Sequence, residues 1–440
     1  MNTRSFLKHL LRSVAAPVDS ARSAERKARE AVALCHALLS ERGEVSGAAL
    51  ARDVLAAYDA LPANAFKPFI DLLAGEFSPA PVKIAAAAAA YARDPSPHNL
   101  VDLQRAVEPP RQELFRRMNV APGATAALVD LRRRLLHELK ANPDWVGVDA
   151  DLEHLFGSWF NRGFLRLERI DWRTPALILE KLIEYEAVHE IAGWKDLHRR
   201  LAADRRCFAF FHPALPEEPL IFVETALTER ISATVAPLLD PDSPEADPAR
   251  ADCAIFYSIT NCQDGLRGIS FGNLLIKQVV NELGREFPRI KTFATLSPVP
   301  GFRAWLAGLA RERTANLPDL ARLNDKDWFA DAGLAEQLRL PLMGLCAHYL
   351  TVVKKNDEPL DPVARFHLGN GARMEKLNWL ADTSKSGMQR SAGIMVNYVY
   401  RLADVEKNHE AFVHEHEIAA SHELKKLARD CVLAAPAARA

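Results

Sequence analysis

The feature that most constrains the fold is a change in sequence texture near residue 207. Residues 20 to about 190 are rich in Ala, Leu, Arg and Glu, and their apolar residues recur at helical spacing. Prolines interrupt this region at intervals typical of helix ends. The region therefore predicts a bundle of roughly seven or eight helices. One predicted apolar stripe consists of Leu128, Leu131, Leu135, Leu136 and Leu139.

From Cys207 onward, short runs of β-branched and aromatic residues replace the helical pattern. These runs are CFAFFHP, EPLIFVETAL, CAIFYSITN and IKTFATLS. Helical patterns lie between and after them, so this part predicts a mixed α/β domain. The predicted fold class is α+β, with a helical domain over residues 1–190 and an α/β domain over residues 191–440. The acidic, proline-rich segment 236–252 is expected to be a surface loop.

Charge and cysteine usage narrow the classes of function. The 440 residues have a net charge of −1, which does not favour nucleic-acid binding. The six cysteines show no CxxC spacing, which predicts reduced thiols in a cytoplasmic protein rather than a zinc site. No apolar run reaches the ~20 residues of a membrane span. The basic stretch TRSFLKHLLRS predicts a first helix or a disordered arm, with an organelle-targeting segment as the alternative.

A glycine-rich turn is the first candidate binding element. It has the sequence QDGLRGISFG, and its three glycines are Gly265, Gly268 and Gly272. It lies between a predicted strand and a predicted helix over residues 273–286. Glycines let a ligand approach the backbone closely, and the first turn of a helix favours a pyrophosphate. Arg267 and Lys277 would add positive charge. The pattern is neither a P-loop nor GxGxxG, and a tight packing turn is the alternative.

Ser297, in FATLSPVPGF, is the second candidate. A residue before proline favours extended geometry, and Pro298 has no backbone donor, so sheet pairing should stop there. The Ser297 side chain is therefore predicted at the carboxyl end of a strand, beside the strand that leads to the glycine loop. Ligands bind at this end in α/β sheets. Ser297 is either a strand-terminating residue or, with a partner nearby, a catalytic hydroxyl.

The candidate partner is His367, in VARFHLGNGA. Phe366 and Leu368 flank it, so a buried core histidine is the alternative. An imidazole in apolar surroundings can stay neutral near pH 7 and exchange a proton. Four further histidines lie in the charged helical stretch NHEAFVHEHEIAASHE, where His414 and His416 point to different faces. No metal site is predicted there.

Taken together, these motifs resemble the malonyl-CoA decarboxylase family. The matching blocks are PPRQELFRRMNVAPGATAALV, FHPALPEEPLIFVETALT, AIFYSIT with GLRGISFGNLLIKQVVNELGREFP, LSPVPGF, and VARFHLGNGA through NWLADTSKSG to GIMVNYVYRL. They occur in family order and cover most of residues 100–402. The resemblance implies a helical N-terminal domain that mediates homo-oligomerisation. It also implies a catalytic domain of the GCN5-related acetyltransferase fold.

The resemblance further implies which residues act. The catalytic serine of the SPxPGF motif falls on Ser297, the catalytic histidine of FHLxNGA on His367, and the active-site tyrosine of NYxY on Tyr400. The glycine loop would hold the CoA pyrophosphate, and its residues are Gly265, Arg267, Gly268, Ser270, Gly272 and Asn273. The family often has a glutamate in this loop, in GVELG, where this chain has Ser270. Any role of that carboxylate is therefore absent here or has moved to another residue.

The implied reaction converts malonyl-CoA to acetyl-CoA and CO2. The thioester carbonyl is the electron sink, so no metal or organic cofactor is expected. Ser297 would bind the malonyl carboxylate and help deliver a proton, and His367 would donate to the enolate or supply that proton. The sequence does not decide which of Ser297 and His367 has which role. Tyr400 would orient the acyl group.

Two other functions fit parts of the sequence. An acyltransferase is one, because a single fold hosts many functions. A non-catalytic acyl-CoA sensor is the other, and the presence of both Ser297 and His367 speaks against it. Neither nucleic acid nor a membrane is expected as a partner.

Overall fold

The structure is a computed structural model that describes residues 3–41, 44–269, 275–311, 319–325 and 327–433. The described elements up to residue 159 are all helical, and eight of them are α-helices. They are α1 (Thr3–Ser40), α2 (Glu44–Asp59), α3 (Phe66–Glu76), α4 (Pro81–Arg93), α5 (Pro97–Val107), α6 (Pro110–Met118), α7 (Ala124–Glu138) and α8 (Val146–Trp159). The predicted helical first region is confirmed.

Prolines determine where several of these helices begin. Pro81, Pro97 and Pro110 occupy the first turns of α4, α5 and α6, where a missing backbone N–H leaves no hydrogen bond unmade. Ser96 also caps α5, because its hydroxyl accepts a hydrogen bond from the backbone N–H of Asn99. These breaks in the sequence therefore mark real helix boundaries.

The apolar stripe predicted on α7 is mostly correct. Leu128, Leu131 and Leu135 are buried. Leu136 and Leu139 are only partly buried, because they lie at the border of the apolar face rather than at its centre. The stripe thus identifies the face of α7 that contributes to the core.

The described residues form two compact units. The first consists of Met1–Leu165, His212–Pro216 and Gln263–Phe271, and the second of Arg166–Phe211, Glu217–Cys262 and Gly272–Ala440. The segment Gln263–Phe271 belongs to the first unit because a buried arginine of α7 binds it. Arg132 Nη1 donates to the carbonyl oxygens of Gly265 and Arg267 at 3.0 and 2.7 Å.

The second unit contains the sheet and the helices that cover it. Its strands are β1 (Arg166–Ile170), β2 (Arg205–His212), β3 (Leu215–Thr228), β4 (Cys253–Asn261), β5 (Thr292–Thr295), β6 (Ser297–Pro298), β7 (Lys354–Lys355), β8 (Glu358–Pro359), β9 (Arg373–Asn378) and β10 (Met395–Tyr400). Its helices are α9 (Ala176–Tyr185), α10 (Trp194–Arg200), α11 (Ala236–Leu239), α12 (Leu275–Glu286), α13 (Phe302–Arg311), α14 (Ala332–Thr351), α15 (Pro362–Gly369), α16 (Lys385–Ser391), α17 (Val405–Glu415) and α18 (His422–Arg429).

The main sheet is mixed, in the order β1-β2-β3-β4-β5-β10-β6, and β9 also pairs with β10. Strands β4 and β5 are parallel and are joined through helix α12. Strand β10 runs antiparallel to β5, β6 and β9. Helix α12 has an apolar stripe at helical spacing, and its five residues are all buried: Leu275, Ile276, Val279, Val280 and Leu283. A helical region followed by a mixed-sheet domain confirms the predicted fold class.

Strand β1 is a correction, because its residues lie in the region that the sequence predicted to be helical. Among the described strands it pairs with β2 alone, so it is an edge strand. Three of the five residues in its sequence, RLERI, are charged, and only Ile170 is buried. An exposed edge strand has too few apolar residues to show a β pattern.

The predicted surface loop over residues 236–252 is confirmed. Segment 236–252 is largely exposed and contains only the short helix α11 and a turn of 3₁₀-helix, Pro248–Arg250. Each of the six cysteines is a thiol rather than half of a disulfide. None of the helices in the described ranges is long and apolar enough to cross a membrane.

Candidate active site

Ser297 lies where strand β5 has ended and the short strand β6 begins. It faces Val396 of β10 across the antiparallel pairing, and the next residue, Pro298, faces Met395. Pairing ends at Pro298, as the missing N–H predicts. The Ser297 side chain is buried, so its hydroxyl requires partners within the protein.

His367 lies in the last turn of α15, and the start of that helix is fixed by a buried aspartate. The Asp361 carboxylate accepts hydrogen bonds from the backbone N–H groups of Val363 and Ala364 at 3.0 and 2.9 Å. Pro362 occupies the first turn. Burial raises the pKa of Asp361 to about 6, against the effect of these two donors. The cap therefore fixes the helix that holds the histidine.

The structure brings the three predicted catalytic residues together. The His367 ring lies between two hydroxyls: Nε2 is 3.0 Å from Ser297 Oγ, and Nδ1 is 2.7 Å from Tyr400 OH. Tyr398 stacks on the ring, with centroids 4.4 Å apart and planes 26° apart. All four side chains are buried. A histidine with a partner on each nitrogen and an aromatic ring on one face has a fixed orientation.

Burial sets the charge state of this cluster. It lowers the pKa of His367 to about 3, because a protonated imidazole would lose its hydration and no carboxylate contacts it within the described residues. Burial also raises the pKa of Tyr400 well above its usual value. Near pH 7 the imidazole and the phenol are therefore both neutral. Each can act as a hydrogen-bond donor.

A cavity of about 230 Å³ opens onto Ser297 and His367. Its wall is mainly apolar and includes Val188, Phe256, Ile259, Pro298, Val363 and Phe366. Polar groups other than the serine and histidine come from β4, where Ser258 and Asn261 line the same space. A small, largely apolar cavity with a few convergent polar groups is typical of a site for a small acyl group.

Behind the cavity lies a buried carboxylate that the sequence did not single out. Glu186 accepts hydrogen bonds from the hydroxyls of Ser258 and Thr260 at 2.7–2.9 Å. It also accepts from the backbone N–H groups of Val188 and His189, at 2.9 and 2.8 Å. Glu186 thus attaches the segment containing Val188 to β4. More than 70 residues separate Glu186 from Ser258, so no local pattern predicts the contact.

Thr295 and Tyr398 were also missed by the sequence analysis. The Ser297 hydroxyl donates to Thr295 Oγ1 at 2.9 Å, and Thr295 is fully buried. The signal that would have found Thr295 is the strand period of two, which places residues 295 and 297 on one face. Tyr398 is two residues before Tyr400 in the NYVY motif and faces the same way.

The glycine loop is described only in part. Gly265 has a packing reason to be glycine, because a Cβ atom there would lie 2.0 Å from the carbonyl oxygen of Val129. Gly268 has φ +84°, which favours glycine. Arg267 is exposed and pairs with Asp264 at 3.1 Å. Ser270, Gly272 and Asn273 lie outside the described residues, and the pyrophosphate site stays a prediction.

Two further expectations concern charged residues. Lys277 pairs with Glu406 at 2.5 Å, so its charge is neutralised within the second unit. In the part of the chain that the structure describes, no three His, Cys, Asp or Glu side chains are grouped so as to hold a metal ion. His414 forms an ion pair with Glu410 of the same helix.

Comparison with known proteins gives a consistent result. A family model described as the malonyl-CoA decarboxylase C-terminal domain matches residues 163–437, and one described as the N-terminal domain matches residues 77–160. Malonyl-CoA decarboxylase, mitochondrial, from Anser anser anser is 38% identical over 346 residues, which are 72% of this chain and 69% of that protein. The Rattus norvegicus relative is 36% identical over 355 residues, 74% and 72% of the two chains.

A solved structure agrees with these matches. The crystal structure of malonyl-CoA decarboxylase from Rhodopseudomonas palustris has a TM-score of 0.87 and 51% identity, and the match covers 91% of this chain and 99% of that one. The fold and these relatives define an enzyme of the carboxy-lyase class. The chain belongs to the malonyl-CoA decarboxylase family, which confirms the resemblance found in the sequence.

The first prediction concerns the neutral, buried histidine. The unfolded chain protonates His367 near its ordinary pKa of 6.5, whereas the folded chain does so only near a pKa of about 3. The unfolded state therefore binds more protons below pH 6.5, and stability is lost as the pH falls from 6.5 towards 3. His367→Asn removes this contribution. The cost of the substitution should thus be smaller at pH 5 than at pH 7.5, by about 2 kcal/mol.

Urea unfolding of the wild type and the variant at the two pH values measures this difference. An equal cost at both values would mean that the folded protein does not hold His367 neutral.

Proposed function

We propose that this chain decarboxylates malonyl-CoA to acetyl-CoA and CO2 through an enolate that the Ser297–His367 pair protonates. The observation that supports the mechanism is the 3.0 Å contact between Ser297 Oγ and His367 Nε2 at the cavity wall. Membership of the family supports the choice of substrate.

The reaction makes a defined demand on the protein. When the bond between the carboxylate carbon and the α-carbon breaks, CO2 leaves and the electron pair moves into the thioester carbonyl. The thioester is thus the electron sink, and no metal or organic cofactor is required. The protein must hold the breaking bond perpendicular to the carbonyl plane and stabilise the enolate oxygen. It must then protonate the α-carbon.

The buried cluster provides a chain of hydrogen-bond donors that can supply that proton. Ser297 Oγ–H gives its proton to the α-carbon, and His367 Nε2–H gives one to the serine oxygen. Tyr400 then gives its phenolic proton to Nδ1, which leaves a phenolate and the Nδ1–H form of the imidazole. After acetyl-CoA leaves, a solvent proton enters at Ser297, the serine proton passes to Nε2, and Nδ1 returns its proton to Tyr400. The raised pKa of Tyr400 is no obstacle, because a phenol is a much stronger acid than the α-carbon of a thioester.

The neutral state of His367 suits this role. A protonated imidazole would bind the malonyl carboxylate as an ion pair and would resist its loss as CO2. A neutral imidazole donates one hydrogen bond and accepts another, so it can pass a proton on without holding a charge. The apolar wall of the cavity also favours loss of the charged carboxylate group.

The second prediction tests Ser297 and His367. Ser297→Ala removes one hydroxyl, so we expect kcat for CO2 release from malonyl-CoA to fall by roughly 10²–10⁴. Stability should fall by about 1–3 kcal/mol, because the buried His367 Nε2 loses its hydrogen-bond partner. His367→Asn should give a similar loss of kcat, and the double variant should lose less than the sum of the two effects. Binding of acetyl-CoA, which has no carboxylate to lose, should barely change.

Ser391→Ala is the matched control. Ser391 is fully buried in α16, and its hydroxyl donates to the carbonyl oxygen of Gly387, away from the cavity. The Ser391→Ala variant should have the same kcat as the wild type. Near-normal turnover in Ser297→Ala with only a lower melting temperature would make Ser297 a structural residue. Formation of an acylated acceptor in place of acetyl-CoA and CO2 would favour an acyltransferase.

We infer that the glycine loop binds the CoA pyrophosphate. Arg267 supports this, because its guanidinium is exposed and its one ion-pair partner among the described residues is Asp264, on the surface. The positive φ of Gly268 turns the backbone there in a way that other residues rarely adopt. Ser270, Gly272 and Asn273 belong to this proposal through the resemblance alone.

The third prediction is that Arg267→Ala raises KM for malonyl-CoA by about 10- to 100-fold, the worth of one charge-assisted hydrogen bond, and leaves kcat unchanged. Arg285→Ala is the control, because Arg285 is also exposed and pairs with a carboxylate three residues earlier, Glu282. A KM that is equal in both variants would place the pyrophosphate elsewhere.

We infer further that the helical unit mediates homo-oligomerisation. Helices α4 and α5 pack on each other, yet neither has a buried residue in the single chain. Val82 is 81% exposed, and the alanines at 85, 86 and 89 are exposed as well. An exposed apolar face on a helical hairpin is typical of an interaction surface.

The fourth prediction is that Val82→Glu combined with Ala89→Glu lowers the molar mass of the oligomer in solution. The reason is that the two charges would be buried in the interface. Size-exclusion chromatography with light scattering measures this mass. Val45→Glu is the control, since Val45 of α2 is 87% exposed and apolar. A mass equal to the wild type in the α4 variant would show that this face is not the interface.

We infer a cytoplasmic location from the six reduced cysteines. The Anser and Rattus relatives are named as mitochondrial proteins, so location differs among relatives if this inference is correct.

A further inference from the structure

The pairing of β10 is interrupted next to Ser297. On one side of the interruption Val399 faces Ala294, and on the other Val396 faces Ser297. The pairing register is the same on both sides of the interruption. Continued through it, that register places Tyr398 opposite Thr295. No ladder pairing joins β10 to residues 295 and 296, although both neighbouring segments are paired. The backbone groups at this position therefore need other partners.

Side chains provide those partners. The backbone N–H of Tyr398 donates to Thr295 Oγ1 at 3.2 Å instead of to a main-chain carbonyl. The carbonyl oxygen of Thr295 accepts from Asn397 Nδ2 at 2.7 Å. Leu296 N–H turns to the other side and donates to the carbonyl oxygen of Phe256 in β4. The opening in the sheet is thus closed by the side chains of a threonine and an asparagine.

The same threonine oxygen also binds the active-site serine. Thr295 Oγ1 accepts the Ser297 hydroxyl proton at 2.9 Å, so both of its acceptor positions are used. A serine has a single proton. When that proton points to Thr295, the contact between Ser297 Oγ and His367 Nε2 requires the imidazole to donate. Nδ1 then has no hydrogen and accepts the proton of Tyr400.

We propose that Thr295 is a positioning residue that fixes the direction of the hydrogen bonds from Tyr400 through His367 to Ser297. The backbone N–H of Tyr398 holds the threonine oxygen in place, and the threonine oxygen holds the serine proton. As a result the imidazole rests in the Nε2–H tautomer, with a proton already directed at Ser297. This inference rests on the proposed function, because it assigns the direction of proton supply in that same site.

The role in the reaction follows from this arrangement. When the malonyl group enters the cavity, the Ser297 proton turns from Thr295 to the α-carbon. The His367 Nε2 proton then replaces it on the serine oxygen, and the imidazole needs no change of tautomer before this transfer. With Thr295 Oγ1 absent, the Ser297 proton has His367 Nε2 as its partner. The imidazole would then rest in the Nδ1–H tautomer and would have no proton to return to the serine.

The test compares three substitutions in the full-length protein. Thr295→Val keeps the shape and removes the oxygen, and we expect kcat to fall about 10- to 100-fold with KM for malonyl-CoA within about twofold. Thr295→Ser restores an acceptor and should keep kcat within about threefold of the wild type. Thr225→Val is the matched control, because Thr225 is a fully buried strand threonine whose hydroxyl has no partner within the described residues. Its kcat should not change.

The tautomer gives a readout that does not depend on activity. In protein labelled with ¹⁵N-histidine, the His367 signals are those that disappear in His367→Asn. We expect the Nε2–H form in the wild type and in Thr295→Ser, and a shift to the Nδ1–H form in Thr295→Val. If the valine variant does not fold, Thr295→Ala replaces it, with the same expected shift.

These measurements separate the two hypotheses. A wild-type protein that releases no CO2 from malonyl-CoA would contradict the proposed function, and the tautomer shift would still support the role of Thr295. An unchanged His367 tautomer with normal kcat in Thr295→Val would overturn the role of Thr295. Equal losses of kcat in Thr295→Ser and Thr295→Val would also overturn it, because the serine variant retains the hydroxyl oxygen that accepts the Ser297 proton.

Discussion

A fully buried imidazole needs a hydrogen-bond partner on each ring nitrogen, and the architecture around the cavity depends on meeting that requirement. His367 takes one partner from β6 and the other from the last residue of β10. Leaving either nitrogen without a partner would cost about 1–3 kcal/mol. The positions of β6, α15 and β10 are therefore linked through one ring.

Two buried carboxylates hold the segments that surround this ring. Asp361 caps α15 and fixes the helix that holds His367. Glu186 ties the segment containing Val188 to the hydroxyls of β4. Both acids accept hydrogen bonds from two backbone N–H groups. The cavity is thus built from segments that are distant in sequence, and each segment is held by hydrogen bonds to backbone groups.

The glycine loop shows how two constraints can act on the same short segment. Arg132 of α7 binds the carbonyl oxygens of Gly265 and Arg267, and the backbone of Gly265 packs on Val129. The glycine at 265 is explained by this packing, without reference to a ligand. The loop is therefore fixed at its start by the helices of the first unit.

The sequence by itself determined the fold class, the boundaries of many helices and the family. Prolines mark helix starts because they lack a backbone donor, and the stripes on α7 and α12 follow from the helical period of 3.6 residues. Ser297 and His367 were identified from short motifs and the resemblance. These signals are local, so a linear sequence displays them. The edge strand β1 was missed because its exposed, charged residues lack a β pattern.

Only the tertiary structure decided which atoms meet. The 3.0 Å contact between Ser297 and His367 joins residues 70 positions apart, and Glu186 reaches Ser258 across 72 positions. Nor does any sequence pattern show that Thr295 replaces a missing ladder bond, because the gap exists only where β10 lies beside β5 and β6. The pKa of His367 depends likewise on burial by distant segments. The local sequence selects the residue types, and long-range packing sets their distances, charges and proton positions.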